Sequence, residues 1–460
     1  MRSRIAAVCA VLALLAVACG NAGSSKAQPS ASTTPGATSI TEASGAALKK
    51  NVPISGVQGV TPTEIDVAAV TAKTNPLGGK YGSFADGVQA YLNYMNSTGG
   101  IYGRQLKLTS NRDDHFANES AVKSSLAQDH AFATFIATPL FTGAPDIAAT
   151  NPPMPTFIWN INPEMAGHTN IFGTVGALCF NCIGQGAPFL AQQYKYTKVA
   201  VLAYGVAESS KQCAEADRAS FKAYPSAKVV YFNENLQFDQ PNLTAIVGDM
   251  KTAGAQLVLT CLDQNESVIL GKEMVKQHMN AVQTLPNSYD QGFIAQNSQY
   301  LQGDFDDPQF VAFEYQPQLP EIQLLMKWIK QSGFEVNELS TEGWIAGNEF
   351  VTGLKLAGPD FSQQKLIDAL NQDTHFDADG MIEPIDWTIQ HNDPRGPAGT
   401  TIPRYAGKYD CSITVRVQGT KFVPIPQPPP GKPWVCLTGG PNAKTLTTTP
   451  VYMSFAPSAG

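Results

Sequence analysis

Apolar positions along this chain switch repeatedly between two spacings. Ile65-Asp66-Val67-Ala68-Ala69-Val70 is a nearly continuous apolar run, the pattern of a strand buried on both faces. Over 82–98, Phe84, Val88, Tyr91, Leu92 and Met95 recur at helical spacing, and Gly99-Gly100 stops the run. The alternation continues with a strand at 105–109, a helix at 119–128, a strand at 132–137, a short helix at 145–150 and a strand at 156–159. It restarts after Gly176 with helices at 183–193, 208–223, 243–253 and 266–278, and strands at 199–203, 229–232 and 257–260. Strand–helix alternation in two successive units predicts an α/β fold of two doubly wound parallel sheets. An extended stretch at 311–315, helices at 320–331, 342–356 and 363–371, and a proline-rich tail of short strand-like pieces follow.

The 460 residues, 43% hydrophobic and 15% charged, are enough for two domains of ordinary α/β size. A net charge of −7 without a Lys/Arg run excludes nucleic acid as a partner class. Arg2 and Arg4 precede an apolar run from Ile5 to Ala18, too short to span a bilayer, so residues 1–18 read as a secretory signal. Leu15-Ala16-Val17-Ala18-Cys19-Gly20 resembles a bacterial lipobox, which implies export and a lipid on Cys19 at the outer face of the cell membrane. Residues 19–58, rich in Ala, Ser, Thr, Gly and Pro, read as a flexible tether.

An exported chain permits disulfides. The strand ending at Cys261 should neighbour the strand ending near Ala203, and Cys213 lies on the helix just after the latter. Cys213–Cys261 is therefore an expected pair. Cys411 and Cys436 flank short strands of the tail, and Cys179–Cys182 would close a small local ring.

Several stretches fall in a specific order. Gly59-Val60-Thr61-Pro62-Thr63-Glu64-Ile65 opens the body, and Asp86-Gly87-Val88-Gln89-Ala90-Tyr91 follows. Then come Asn96-Ser97-Thr98-Gly99-Gly100-Ile101-Tyr102-Gly103-Arg104-Gln105-Leu106, Asp113-Asp114 and, later, the helix holding Glu342-Gly343-Trp344. Together they resemble the branched-chain amino-acid-binding (Leu/Ile/Val-binding) type of bacterial ABC-importer solute-binding protein, with the type I periplasmic-binding-protein fold. The resemblance implies two lobes joined by a three-strand hinge, lobe one being 59–177 plus 318–388 and lobe two 178–317 plus 389–460. It also implies a receptor that delivers a small polar, amino-acid-like or amide-like solute to a permease, and through the permease to its ATPase. Such a receptor is expected to be a monomer, to meet the membrane only by its lipid anchor, and to need no cofactor or metal.

Ligands of open α/β sheets sit beyond the carboxyl ends of the strands, so the loops after strands nominate the site. Lobe one offers Tyr81, Thr138, Leu140, Thr142, Trp159, Asn160 and Asn162. Lobe two offers Tyr204, Glu208, Ser209, Asp263, Gln264, Ser288, Tyr289 and Asp290. Aromatics beside hydroxyl, amide and carboxylate groups suit a small polar ligand with an apolar part. The family's amino-acid binders hold a carboxylate with Ser or Thr and an ammonium with an acid, roles that Thr138 or Thr142 and Asp290 or Asp263 could take. Asn160 and Asn162 stand where the second loop would carry a hydroxyl. No zinc-protease, nucleophile-elbow or phosphate-loop motif occurs. A ligand sensor on the same fold and a secreted hydrolase are the alternative readings.

Overall fold

The structure is a computed structural model that describes residues 44–159, 163–165, 167–175, 182–389, 391, 409–439 and 443–456. The first unit runs β1 (Glu64–Thr71), α1 (Ser83–Ser97), β2 (Gln105–Asp113), α2 (Asn118–Gln128), β3 (Ala133–Ala137), α3 (Ala144–Ala148), β4 (Thr156–Ile158) and β5 (Ile171–Gly173). Its strands pair in parallel in the order β2-β1-β3-β4-β5. Central β3 is buried along its whole length, and β1 beside it is buried at all residues but Glu64 and Asp66, as a sheet covered on both faces requires.

The second unit runs α4 (Gly186–Gln193), β6 (Lys198–Tyr204), α5 (Glu208–Ala223), β7 (Lys228–Leu236), α6 (Thr244–Ala253), β8 (Leu257–Cys261), α7 (Gln264–Lys276), β9 (Val282–Gln283), α8 (Gln291–Asn297) and β10 (Phe305–Asp306). Here the parallel order is β7-β6-β8-β9, and a parallel bridge from Thr284 to Phe305 adds β10. The two sheets are the doubly wound pair that the alternation predicts.

Helices α9 (Pro320–Gln331), α10 (Glu338–Ala357) and α11 (Gln363–Leu370) follow. The tail then supplies β11 (Tyr409–Ser412), β12 (Val415–Gln418), β13 (Lys421–Pro424), β14 (Trp434–Thr438) and β15 (Val451–Met453). β12 and β13 extend the second sheet through β10, while β11, β14 and β15 form a separate antiparallel sheet. The expected extended stretch at 311–315 is not a strand: it turns, with Tyr315 N–H donating to the Ala312 carbonyl. Phe310, Val311, Phe313 and Tyr315 are apolar because they fill the core, not because they pair.

Both topologically argued disulfides are present. Cys213 bonds Cys261, whose strand neighbour is Ala203. Cys411 bonds Cys436, directly opposite it in the β11–β14 ladder. Cys182 is disulfide-bonded; Cys179, its proposed partner, lies outside the described residues, as does Cys19.

Helix α10 begins earlier than its apolar period indicates. Asn337 Oδ1 accepts from Ser340 N–H (2.9 Å), and Ser340 Oγ accepts from Asn337 N–H (2.9 Å), a reciprocal cap that starts the helix at Glu338. The helix is buried almost throughout and crosses α1 backbone to backbone. A Cβ on Gly343 would overlap the Phe84 carbonyl oxygen, and one on Gly87 would overlap that of Ser340. Gly343→Ala should therefore cost about 3 kcal/mol, the upper part of the range for overpacking a close-packed core. An unchanged urea midpoint would contradict this account of the α1–α10 crossing.

Candidate ligand-binding site

In both sheets the connections leave to opposite faces on either side of one strand pair, β1/β3 in the first and β6/β8 in the second. Such switch points open crevices at the carboxyl ends of the strands. The two crevices face each other and line a partly open cavity of ≈ 240 Å³. The first sheet contributes Leu77 and Tyr81 after β1, and Pro139 after β3. The second contributes Tyr204 at the end of β6, Ala207, Ser209 and Ser210 at the start of α5, and the Cys213–Cys261 disulfide. Phe238 after β7, Leu262 and Asp263 after β8, Pro286 and Asn287 after β9, and Gln309 after β10 complete the wall.

The loops are held across the cavity as well as around it. Asn265 N–H donates to the Leu77 carbonyl (3.2 Å), and Asn265 Nδ2 to that of Pro76 (2.9 Å). Phe116, beyond β2, packs edge-on against Phe238 with ring centroids 5.9 Å apart. Lys80 reaches Asp290 and Glu335, both at 2.8 Å. The loops that join the two sheets around the cavity are therefore in contact, and the cavity is bounded on both sides.

Tyr204 donates to Asp263 Oδ2 (2.6 Å), while Asp263 Oδ1 accepts from Glu266 N–H (3.0 Å) and caps α7. Burial pushes the Asp263 carboxyl up to about 6 despite these bonds. Burial and the nearby Asp263 raise the Tyr204 and Tyr81 phenols far above neutrality, so both remain donors. Glu266, buried behind Asp263, is raised to about 7 by burial and by that neighbouring carboxylate.

The predicted site residues divide into groups. Tyr81, Tyr204, Ser209 and Asp263 line the cavity. Trp159 stands behind Tyr81, with ring centroids 5.1 Å apart, and supports it without lining the cavity. Gln264 donates to the Asn287 carbonyl (2.8 Å) and Ser288 to that of Pro286 (3.1 Å), so both position the loop that lines the cavity. Thr138 Oγ1 is occupied by the Leu140 backbone, and Leu140 packs against the apolar cluster of the second sheet.

Four other expected site residues do not line the cavity and have other partners in the structure. Thr142 Oγ1 accepts from Glu119 N–H (3.1 Å) on the outer side of the loop. Glu208 is exposed and takes a hydrogen bond from Gln212. Tyr289 is core: its hydroxyl donates to Glu314 and accepts from Phe313 N–H. Asp290 caps α8 through Gly292 and Phe293 N–H and pairs with Lys80. Asn160 and Asn162 lie outside the described residues.

Among the wall residues, sequence reasoning missed Leu77, Ser210, Phe238, Leu262, Pro286 and Gln309. Phe238 follows β7, which runs to Leu236, four residues past its predicted end; the apolar Leu236 was the available signal. Gln309 follows β10, whose two paired residues carry no readable period.

Two facing α/β units around a shared crevice define a two-lobed binding protein. The chain belongs to the periplasmic binding protein family, whose profile matches residues 64–400. Its fold is shared with a fatty acid ABC transporter substrate-binding protein from Thermomonospora curvata (16% identity, TM-score 0.66, covering 83% of this chain and 94% of that one). It is shared too with the branched-chain amino acid transporter substrate-binding protein of Streptococcus pneumoniae in complex with isoleucine (12%, TM-score 0.64, 78% and 98%). An ABC transporter solute-binding protein of R. palustris in complex with benzoate is also similar (16%, TM-score 0.61, 79% and 95%). No curated protein matches the chain in sequence.

The raised Asp263 carboxyl sets a pH dependence. The folded state holds its proton more tightly than the unfolded chain does, where the value is 3.8. Its contribution to stability is thus fully present below about pH 4 and is lost as pH rises through about 6. Urea midpoints measured between about pH 4 and 6.5 should fall more in the wild type than in Asp263→Asn. Equal slopes would refute the assignment.

Proposed function

We propose that this protein is the solute receptor of an ATP-driven importer, capturing a small molecule between its lobes and passing it to a permease in the membrane. The observation that supports this most is the cavity itself, walled from the switch points of both sheets. A ligand touching both walls stabilises the closed arrangement over the open one by its difference in affinity, which is the only way binding can shift such an equilibrium. Closure of this kind is a hinge motion and requires no catalytic group. Membership of the periplasmic binding protein family supports a location outside the cytoplasm, and no helix among the described residues is long and apolar enough to cross a membrane.

A thermal-shift screen of amino acids, amides, ureas and small aromatic acids should find a compound that raises the melting temperature, since a ligand of the folded state adds stability. The same compound should shrink the radius of gyration in small-angle scattering. Phe238→Ala should weaken its binding by roughly 2–4 kcal/mol, as for a well-packed anchor residue. Tight binding without compaction would overturn the receptor mechanism.

Lipid anchoring through Cys19 belongs to the same reading. Its support is the short apolar segment ending at a small residue before Cys19, followed by the polar 19–58 stretch. Cys19→Ala should move the protein from the membrane fraction to the soluble fraction, and a wild type already soluble after export would refute it.

A further inference from the structure

Two aromatic rings meet across the crevice at the edge farthest from the chain crossings. The chain passes from the first unit to the second after β5 and leaves the second after β10. In the first sheet β5 is one edge and β2 the other; in the second, β10 continues the edge at β9 and β7 is the other. Four strand intervals of about 4.8 Å put β2 roughly 19 Å from β5. A rotation about the crossings therefore separates the loops after β2 and β7 more than the loops after the strands between.

Phe116 stands on the loop after β2 and Phe238 on the loop after β7, with ring centroids 5.9 Å apart and planes at 79°. Phe238 in turn meets Tyr204 edge-on at 4.8 Å, so a line of three rings runs from the outer edge to the cavity wall. Phe238 and Tyr204 line the cavity and Phe116 does not.

The loop that carries Phe116 is fixed within the first unit. His115 (φ 47°) and Phe116 (φ 66°) are consecutive non-glycine residues in the left-handed region, a conformation that persists only where neighbouring groups enforce it. Asp113 Oδ1 accepts from His115 N–H (3.1 Å) and from Thr74 N–H (3.1 Å) on the loop after β1. Asp114 Oδ1 accepts from Phe116 N–H (2.9 Å), and its other oxygen accepts from Asn118 Nδ2 (3.3 Å). Asn118 Oδ1 accepts in turn from Gly143 N–H (3.0 Å), beyond β3. These bonds all lie within the first unit, so they present the ring independently of Phe238. Phe116 is half-buried in the contact, and parting the sheets returns apolar surface of both rings to water. Apolar area and edge-on ring geometry thus both favour the closed arrangement.

Resting on the receptor reading above, we propose that Phe116 is a positioning residue for closure: an aromatic latch that docks on Phe238 at the outer edge of the crevice and parts when the two sheets swing open about their β5 and β10 edges. Because Phe116 lies outside the cavity wall, the latch raises the affinity of every solute by the same factor, through the fraction of receptor that can close. Selectivity between solutes is left to the wall.

Single-molecule fluorescence energy transfer on the full chain tests this without any ligand. Dyes carried by a bioorthogonal amino acid at the exposed positions 123 on α2 and 251 on α6 report the distance between the units and leave the cysteines untouched. Phe116→Ala should lower the ratio of closed to open molecules about tenfold, and Phe116→Tyr, which keeps the ring, should hold it within about twofold of the wild type. If the alanine variant folds poorly, Phe116→Leu keeps apolar bulk and should lower the ratio about threefold, the loss of the ring geometry alone. A ratio unchanged by Phe116→Ala, a fall as large in Phe116→Tyr, or one identical distance in wild type and variants overturns the latch. The receptor reading is judged separately, by compaction of the wild type with the compound found in the thermal-shift screen.

Discussion

A parallel sheet cannot cover the carboxyl ends of all its strands. Where the connection after one strand leaves to one face and that after its neighbour leaves to the other, the loops diverge and a crevice opens between them. Each sheet here has one such place, β1/β3 and β6/β8, and everything else in the site follows from the two crevices being opposed. Tyr81 and Pro139 reach the cavity because their strands flank one switch point, and Tyr204 and Asp263 because theirs flank the other. The Cys213–Cys261 disulfide forms part of the wall for the same reason: it ties the helix after β6 to the end of β8 across the second switch point.

Holding the crevices opposed is the task of the third segment of chain. Helix α10 lies against α1 at the Gly87–Gly343 contact, and its first turn meets the loop beyond β9. Glu338 N–H donates to the Tyr289 carbonyl (3.0 Å), and Tyr289 N–H donates back to the Glu338 carboxylate (3.0 Å). One helix therefore touches both units: its side packs on the helix that follows β1, and its end is hydrogen-bonded to the segment that precedes α8. Glu338 is buried and its carboxyl is raised to about 7 by that burial. A group that must keep accepting from Tyr289 N–H while poorly hydrated ties its own ionisation to how the two units meet.

Most of the fold was legible because its elements are long and strongly periodic. Helices α5 and α9 occupy the residues their spacing predicts, and the Cys213–Cys261 pair follows from strand adjacency alone. What escaped was short or ambiguous. β9 and β10 have two residues each, too few to show alternation, and the apolar run at 311–315 carries the composition of a strand while serving as a packed turn. The site was legible as loops and much less as side chains. Asp290 and Thr142 are polar residues after strands, which suits a ligand, but each sits beside a helix start whose N–H groups claim it first. Asp is a favoured N-cap residue, and here Asp290 serves as the cap of α8.

The cavity wall differs from an ordinary polar pocket in how its charge is already committed. Asp263 receives Tyr204 O–H on one oxygen and Glu266 N–H on the other, so its bonds are satisfied before a ligand arrives. It contributes shape and a negative potential more than a free acceptor. The contacts that close the crevice, Asn265 to the backbone of Pro76 and Leu77 and Lys80 to Asp290, lie at the edges of the cavity and not inside it. Apolar contact of a ligand with Tyr204, Phe238, Leu77 and Leu262 favours the closed arrangement over the open one, because it is made fully only when both walls are present. Selectivity must then come from the polar side chains among the wall residues, Tyr81, Tyr204, Ser209, Asp263, Asn287 and Gln309.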